Sequence, residues 1–173
     1  MKLSTLLMFL AGLAISIGLI YFGYRWFVKK NIRRNVIERT LAIVKPDAVR
    51  AHHTGKIIDK IEQENFTVID LRKVQLDREQ AEKFYEMHKD KKFFHQLVDY
   101  MTGGPVVVMI LEKMNAIIDW RDLMGATDPA KAKEGSIRKL FGTDIGKNAV
   151  HGSDSPEAAH REIRFFFADR IKE

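Results

Sequence analysis

A run of six apolar residues, Val106–Leu111, gives the strongest strand signal in this chain of 173 residues. The β-branched valines that begin the run favour extended backbone. The preceding Gly103-Gly104-Pro105 stops a helical pattern, so the run has a defined start. We therefore predict a buried β-strand here and examine the rest of the chain for elements that combine with it.

The other elements alternate between strands and helices. Further strands are predicted over 40–44, 66–74 and 163–167, and helices over 56–63, 77–88, 93–100, 115–123 and 157–161. The polar segment 125–148 is predicted to be a loop, and a loop of this length inside a compact domain is usually functional. This order predicts an α/β (α+β) sandwich of ferredoxin-like type, in which helices cover a four-stranded antiparallel sheet.

The N-terminal segment has a different character, because residues 3–24 contain no charged residue. As a helix this run would be about 33 Å long, enough to cross a hydrocarbon core of about 30 Å. We predict a transmembrane anchor over residues 1–30, with residues 3–28 in lipid, then a linker over 31–37 and a folded domain over 38–173. Basic residues after the apolar run place that domain in the cytoplasm by the positive-inside rule. A cleaved signal peptide and a mitochondrial presequence are the alternatives.

The charge distribution argues against nucleic-acid binding. Six of the 29 basic residues lie in residues 1–34, which contain no acidic residue. The remaining chain therefore carries 23 basic and 23 acidic residues, and the excess charge of +6 belongs to the N-terminal segment. The chain also contains no cysteine, which excludes disulfides, thiolate catalysis and zinc–cysteine sites.

A histidine in the segment 148–155 is the main candidate for chemistry. Ser155 or Asp154 can cap a helix that starts just after it, so His151 is predicted to lie beside a helix N-terminus, which favours anions. We expect Gly152 to leave open space beside the imidazole ring, since glycine has no Cβ. The segment fits a phosphate site, although a surface turn with a solvent-exposed histidine fits it equally well.

Phosphate would have to be bound by separate cationic side chains. Neither a Gly-x-x-x-x-Gly-Lys-Ser/Thr loop nor a Gly-x-Gly-x-x-Gly motif after a strand is present. Lys45, at the end of the strand 40–44, and the two arginines Arg121 and Arg138 are the candidates. A neutral imidazole is a competent nucleophile toward phosphorus near pH 7.

Four separated motifs together resemble those of the nucleoside diphosphate kinases, in the order and spacing of that family from about Glu38 to Phe167. They are Val44-Lys45-Pro46-Asp47-Ala48-Val49, Gly103-Gly104-Pro105-Val106-Val107, Leu123-Met124-Gly125-Ala126-Thr127-Asp128-Pro129 and Asn148-Ala149-Val150-His151-Gly152-Ser153-Asp154-Ser155. The resemblance implies transfer of the γ-phosphate from a nucleoside triphosphate to a nucleoside diphosphate, by a ping-pong route through a phosphohistidine.

The family pattern also implies roles for individual residues. It assigns catalysis to His151, Glu162, Lys45 and Tyr85, and nucleotide binding to Lys45, Phe93, Arg121, Thr127, Arg138 and Asn148. In this pattern His151 is the nucleophile, Glu162 holds its ring, Phe93 stacks on the base and Asn148 contacts the ribose. Mg²⁺ is expected on the nucleotide phosphates rather than on protein ligands. Assembly as a homo-oligomer, either a tetramer or a hexamer, is also implied.

The overall prediction is a membrane-tethered nucleoside diphosphate kinase with its catalytic domain in the cytoplasm. A membrane-anchored nucleotide-binding scaffold or sensor with little turnover is the rival. The presence of every matched site residue, His151 included, favours the enzyme.

Overall fold

The structure of the protein is a computed structural model that describes residues 36–170. The predicted anchor over 1–30 lies outside the described residues, as does nearly all of the predicted linker. None of the helices found between residues 36 and 170 combines the length and the apolar character needed to cross a bilayer.

Four strands form one antiparallel sheet. They are β1 (Ile37–Val44), β2 (Thr67–Val74), β3 (Val106–Met114) and β4 (Val150–Gly152). Their order across the sheet is β2-β3-β1-β4, and every neighbouring pair is antiparallel. The strand predicted from the run Val106–Leu111 is thus confirmed as β3, an inner strand paired with both β1 and β2. The predicted four-stranded, ferredoxin-like sheet is also confirmed.

Seven α-helices and three short 3-10 turns connect these strands within the described part of the chain. The helices are α1 (Pro46–Arg50), α2 (Thr54–Gln63), α3 (Arg78–Phe84), α4 (Phe94–Thr102), α5 (Ala116–Met124), α6 (Ile137–Phe141) and α7 (Pro156–Phe166). The 3-10 turns are Glu86–His88, Pro129–Lys131 and Ala168–Arg170. Helices α1 and α6 were not predicted, and α6 lies inside the segment 125–148 that the sequence indicated as a loop.

Helices pack on both faces of the sheet, which explains the uninterrupted apolar run in β1. Leu41 and Ile43 belong to one core cluster with side chains of α3, α4 and α7. Ala42 and Val44 belong to a second cluster with side chains of α2, α5 and α6. Because successive residues of a strand point to opposite faces, a strand covered on both sides has to be apolar at every position.

The predicted fourth strand over 163–167 is wrong. These residues continue helix α7, and the place of the fourth strand is taken by β4, which contains His151. The three phenylalanines at 165–167 resemble a strand, yet within the helix the buried positions are Ala158, Ala159, Glu162 and Ile163, and the buried Phe167 follows the helix end. This spacing is the buried stripe of a helix, because residues three to four apart share a helix face.

The helix boundaries correct two further expectations. Asn115 does not cap α5 with its side chain, because it adopts a left-handed conformation with φ of 58°. The helix predicted over 77–88 ends at Phe84, and a 3-10 turn follows it. By contrast, Asp77 caps α3 as predicted and forms a reciprocal capping box with Gln80.

Candidate active site

Strand β4 lies at the sheet edge and places His151 beside the C-terminal end of β1. It is only three residues long, and it pairs with β1 so that His151 lies opposite Ile43. The predicted turn at this position is therefore a strand, and the imidazole remains partly accessible, with 22% of the side chain exposed. Helix α7 starts just beyond it, where the Ser155 hydroxyl accepts a hydrogen bond from the Ala158 N–H at 3.1 Å.

A carboxylate from α7 binds one nitrogen of this imidazole. The Nε2 atom of His151 lies 3.0 Å from Oε2 of Glu162, and the Ser153 hydroxyl donates to the same oxygen at 2.8 Å. A carboxylate is an acceptor, so Nε2 carries the proton and Nδ1 of the neutral ring keeps its lone pair. We call His151, Glu162 and Ser153 the histidine cluster.

The charge of Glu162 is maintained although the side chain is only 8% exposed. Burial acts to raise its pKa, but the hydrogen bond from His151, the positive charge of that ring when it is protonated, and the Ser153 hydroxyl outweigh burial and hold the pKa below its ordinary value. The carboxylate is therefore ionised at neutral pH and can stabilise positive charge on the imidazole ring.

Aromatic rings enclose the other side of the imidazole. The rings of Phe84 and Tyr85 meet it edge-on, with centroids at 5.5 Å and 6.2 Å. Tyr85 is buried, and burial together with the nearby Glu162 raises the pKa of its phenol, so it remains neutral. Its hydroxyl has no hydrogen-bond partner within the described part of the chain.

Lys45 and Asn148 meet on the opposite side of the site. The ammonium of Lys45 donates to Oδ1 of Asn148 at 2.7 Å, and the lysine is buried. Burial and the nearby Arg138 lower the pKa of Lys45 to about 8, against an opposing effect of Asp47. The Asn148 amide donates to the Thr127 carbonyl at 3.0 Å, which turns its oxygen toward Lys45.

Arg138 connects this region to the strand that carries the histidine. Its guanidinium donates to the carbonyls of Gly125, at 2.9 Å, and Val150, at 3.2 Å. Burial and the charge of Arg121 lower the pKa of Arg138 to about 10. We call Lys45, Arg121, Arg138 and Asn148 the cation cluster. Within it, burial and mutual repulsion make the charges of Lys45 and Arg138 unfavourable without an anion.

Phe93 stands farther from the histidine. Half of its surface is exposed, at 50%, just before α4. A series of ring contacts links it to His151 through His88 and Tyr85, with centroid distances of 5.7 Å, 6.4 Å and 6.2 Å. The structure brings His151 into contact with Glu162 and Tyr85, and Asn148 into contact with Lys45 and the Thr127 backbone. Arg121 is exposed and influences Arg138 through its charge, and Phe93 is joined to His151 only through intermediate rings.

Gly152 has a different role from the one expected. A Cβ at this position would lie 2.3 Å from the indole ring of Trp120, so the missing side chain makes room for a buried tryptophan rather than for open space beside the imidazole. The indole N–H of Trp120 donates to the His151 carbonyl at 3.3 Å. Trp120 therefore supports the strand directly behind the histidine.

Ser153 and Asp47 contribute to the site without having been predicted from the sequence. Two-residue periodicity offers a signal for Ser153, because residues two apart in extended backbone share a face and the side chains of His151 and Ser153 both reach Glu162. No local pattern indicates Asp47, whose carboxylate accepts a hydrogen bond from the Ala149 N–H at 3.0 Å, across 102 positions of sequence.

Comparison with known proteins identifies the family of this chain. The sequence model of the family described as "Nucleoside diphosphate kinase" matches residues 38–171. The chain belongs to the nucleoside diphosphate kinase family. A kinase of Nitratiruptor sp. is 57% identical over 134 residues, which cover 78% of this chain and 98% of the relative. The kinase of Persephonella marina is 52% identical, with 76% and 94% covered. The predicted enzyme class is confirmed.

Solved kinases have the same fold. The Aquifex aeolicus nucleoside diphosphate kinase is 47% identical, with 76% of this chain and 96% of that chain covered and a TM-score of 0.75. A halophilic kinase from Halobacterium salinarum, solved in complex with CDP, is 39% identical, with 80% and 93% covered and the same TM-score.

The prediction of a single-pass membrane protein is corrected by these findings. The kinase match begins at residue 38, and matches of 131 to 134 residues cover 95–98% of several relatives, so these relatives have no counterpart of the apolar N-terminal run. Among residues 36–170 no helix is suited to cross a bilayer. The predicted membrane localisation and the predicted contact with lipid through residues 3–28 are therefore not supported.

Proposed function

We propose that the kinase transfers the γ-phosphate of a nucleoside triphosphate to a nucleoside diphosphate through a phosphohistidine on His151. In the first half-reaction Nδ1 attacks the γ-phosphorus. The N–P bond forms, the bond from phosphorus to the β–γ bridging oxygen breaks, and the nucleoside diphosphate leaves. A second nucleoside diphosphate then attacks the phosphohistidine with its terminal oxygen and regenerates the imidazole.

The contact between His151 and Glu162 carries this proposal. Because Nε2 donates to the carboxylate, Nδ1 presents a lone pair and acts as the nucleophile without a separate base. Phosphorylation at Nδ1 would place positive charge on the ring, and the ionised Glu162 lies 3.0 Å from Nε2 to stabilise it. A preoriented carboxylate of this kind stabilises the phosphorylated imidazole more than solvent would stabilise it on a surface histidine.

The cation cluster is the proposed phosphate site. Arg121 and Arg138 offer planar guanidinium groups and Lys45 offers a point charge, which together match a triphosphate. The lowered pKa values of Lys45 and Arg138 show that their charge is unfavourable in this setting. A bound polyanion would relieve that cost, so we expect phosphate binding to raise the pKa of both groups.

The remaining site residues suit the nucleoside. We propose that the half-exposed Phe93 ring stacks on the base, and stacking accepts any base. Thr127 adds a phosphate contact, and Asn148 acts near the sugar and the phosphates. So does the Tyr85 hydroxyl, which has no hydrogen-bond partner among residues 36–170. The CDP complex of the Halobacterium salinarum relative supports nucleotide binding in this fold.

We propose that Mg²⁺ enters the site with the nucleotide. Within residues 36–170 no group of three or more His, Cys, Asp or Glu side chains could hold a metal ion. The residues that approach the phosphates are cationic, so the nucleotide oxygens and water would be the ligands. When bound there, Mg²⁺ neutralises part of the phosphate charge during transfer.

We further propose that residues 38–173 form the catalytic domain and that it assembles as a homo-oligomer, a tetramer or a hexamer. Edge strand β2 exposes two apolar side chains, Ile69 and Leu71, at 39% and 42%. An assembly that covers them would remove an exposed apolar edge, which natural proteins avoid.

Labelling with radioactive phosphate tests the mechanism. The full chain is incubated with γ-labelled ATP and Mg²⁺, and an acid-labile, base-stable adduct is sought and chased with GDP. We expect labelled protein that discharges onto GDP, and a loss on the order of 10⁴-fold or more in His151→Ala, as removal of a covalent nucleophile causes. The circular dichroism spectrum of the variant should match the wild type.

Two results would count against this mechanism. A His151→Ala protein that still exchanges phosphate between ATP and GDP would exclude a phosphohistidine on His151. A folded wild-type protein that binds nucleotide but never labels would support the nucleotide-binding scaffold or sensor instead.

A further inference from the structure

The turn that leads into β4 has an unusual backbone. Ala149 is fully buried and has a φ of 66°, a region that residues with a Cβ seldom adopt. The Val150 N–H donates to the Asn148 carbonyl at 2.7 Å, which closes a three-residue turn around Ala149. With a positive φ at the central residue this is the rare and strained form of the γ-turn.

Residues at the end of β1 and the start of α1 hold this turn from both sides. The carboxylate of Asp47 accepts a hydrogen bond from the Ala149 N–H at 3.0 Å. The Lys45 N–H donates to the Ala149 carbonyl at 2.8 Å. Both polar backbone groups of Ala149 are thus satisfied, and one of them depends on the Asp47 side chain alone.

The turn connects the two halves of the site. Asn148, on one side of it, receives the hydrogen bond from the Lys45 ammonium, while His151 lies two residues beyond it on the other side. A change in the conformation of Ala149 would therefore move the asparagine and the imidazole relative to each other.

We propose that Asp47 is a positioning residue that keeps the turn at Ala149 in its strained conformation and so sets the distance between His151 and the phosphate site. This inference rests on the proposed transfer through His151. An aspartate in the first turn of a helix commonly interacts with the free N–H groups of that helix, but Oδ2 of Asp47 accepts from Ala149 and its Oδ1 has no hydrogen-bond partner in the described part of the chain. The carboxylate thus acts on the turn.

A double-mutant cycle with Asp47→Ala and Ala149→Gly tests the proposal. Glycine adopts positive φ without steric cost, so a glycine in place of Ala149 keeps the turn without help from Asp47. The measured quantities are the single-turnover rate of His151 phosphorylation and the dissociation constant of ADP for each of the four proteins. We expect Asp47→Ala to slow phosphorylation on the order of 10- to 100-fold, as small misplacements do. In the Ala149→Gly background, Asp47→Ala should lower the logarithm of the phosphorylation rate by less than about a third of the amount by which it lowers it in the wild-type background.

Two further variants separate positioning from general stability. Asp47→Asn keeps an oxygen that can accept from the Ala149 N–H, so it should retain most of the rate that Asp47→Ala loses. Asp77→Ala removes a carboxylate-to-backbone hydrogen bond of similar length, 2.8 Å, at the cap of α3. It should lower the melting temperature and leave the phosphorylation rate unchanged.

The outcomes are distinct from a failure of the proposed function, because labelling of the wild type is measured in the same experiment. If the wild type labels and Asp47→Ala labels at the same rate, Asp47 has no positioning role. Equal losses in the wild-type and Ala149→Gly backgrounds would also overturn the proposal, since the effect of Asp47 would then not pass through the turn. If Asp47→Ala does not fold, the cycle is run with Asp47→Ser, and equal losses in the wild-type and Ala149→Gly backgrounds again overturn the proposal.

Discussion

The two halves of the active site differ in how their charges are balanced. In the histidine cluster the charge of Glu162 is matched by hydrogen bonds from His151 and Ser153, and these contacts hold its pKa low. In the cation cluster burial and mutual repulsion lower the pKa values of Lys45 and Arg138. Glu162 has its partners within the histidine cluster, whereas in the cation cluster the nearby Asp47 does not offset burial and repulsion at Lys45.

We relate this difference to the two tasks proposed for the site. A nucleophile has to be oriented before the substrate arrives, which fits partners that are built into the protein. A phosphate site has to favour an incoming polyanion, which fits charges that are unfavourable in the free protein. Substitutions in the histidine cluster should therefore change the rate, and those in the cation cluster should change nucleotide binding.

The largest effect within this comparison is expected for Glu162→Gln. The glutamine keeps the size of the side chain but cannot stabilise a positive imidazole, so phosphorylation should slow by about 10²-fold with unchanged ADP affinity. Because the folded-state pKa of Glu162 is lowered, its contribution to stability is present above the unfolded pKa and is lost as pH falls through the folded pKa. Glu162→Gln should therefore lose less stability than the wild type as pH falls. Thermal melts at a series of acidic pH values measure this difference.

The matched control for this substitution is Glu157→Gln, in the first turn of the same helix and exposed. It should leave the phosphorylation rate unchanged. A phosphorylation rate in Glu162→Gln equal to that of the wild type would show that the negative charge of Glu162 does not contribute to phosphorylation.

Gly152→Ala should damage the support behind the histidine. The added Cβ would overlap the Trp120 ring at 2.3 Å, and overpacking of this kind costs about 1–3 kcal/mol of unfolding free energy. Urea unfolding measures the loss. Gly55→Ala is the control, because no atom lies within 4 Å of a Cβ placed there. Equal stability of the two variants would contradict the close packing of Trp120 on β4.

Lys45→Met tests the other half of the site. The charge that is proposed to contact the phosphates is removed while the buried stem is kept, so we expect nucleotide affinity to fall about tenfold, the size of a single charge-assisted contact. The free protein should not lose stability, because the charged form of Lys45 is already disfavoured in the folded state. Calorimetric titration with ADP and thermal melts measure the two quantities.

Lys113→Met provides the control for that substitution. Lys113 is a half-buried lysine whose ammonium pairs with Asp119 at 2.8 Å and lies over the Phe66 ring at 4.8 Å. Its loss should leave nucleotide affinity unchanged. An affinity that is unchanged in Lys45→Met as well would remove Lys45 from the phosphate site.

The smallest expected effect is the pH dependence of binding. With a pKa of about 8, Lys45 in the free protein loses its proton as pH rises, so ADP affinity should weaken by up to about fourfold between pH 7 and pH 8.5. Affinity weakens as pH rises because the cationic form of Lys45, which is proposed to bind phosphate, predominates only below this pKa. Titrations across this range in wild type and Lys45→Met should show the slope only in the wild type.

The strands and the site residues differ in how far the sequence could predict them. The run Val106–Leu111 indicated β3 directly, because a strand covered on both faces has to be apolar throughout. Strand β4 was missed, since three residues are too few to show a periodicity and the apolar residues after 163 form a stronger strand pattern. That pattern was misleading because residues 163–166 lie in helix α7, which buries only one of its faces.

Motif order and spacing were enough to identify the family, which the match over residues 38–171 confirms, and to predict His151 with a set of cationic and aromatic residues around it. The three-dimensional arrangement was needed to place His151 on a strand, its Nε2 against Glu162 and Asp47 against Ala149. These hydrogen bonds depend on strand pairing and helix packing between distant segments, and a local pattern of residue types contains no information about either.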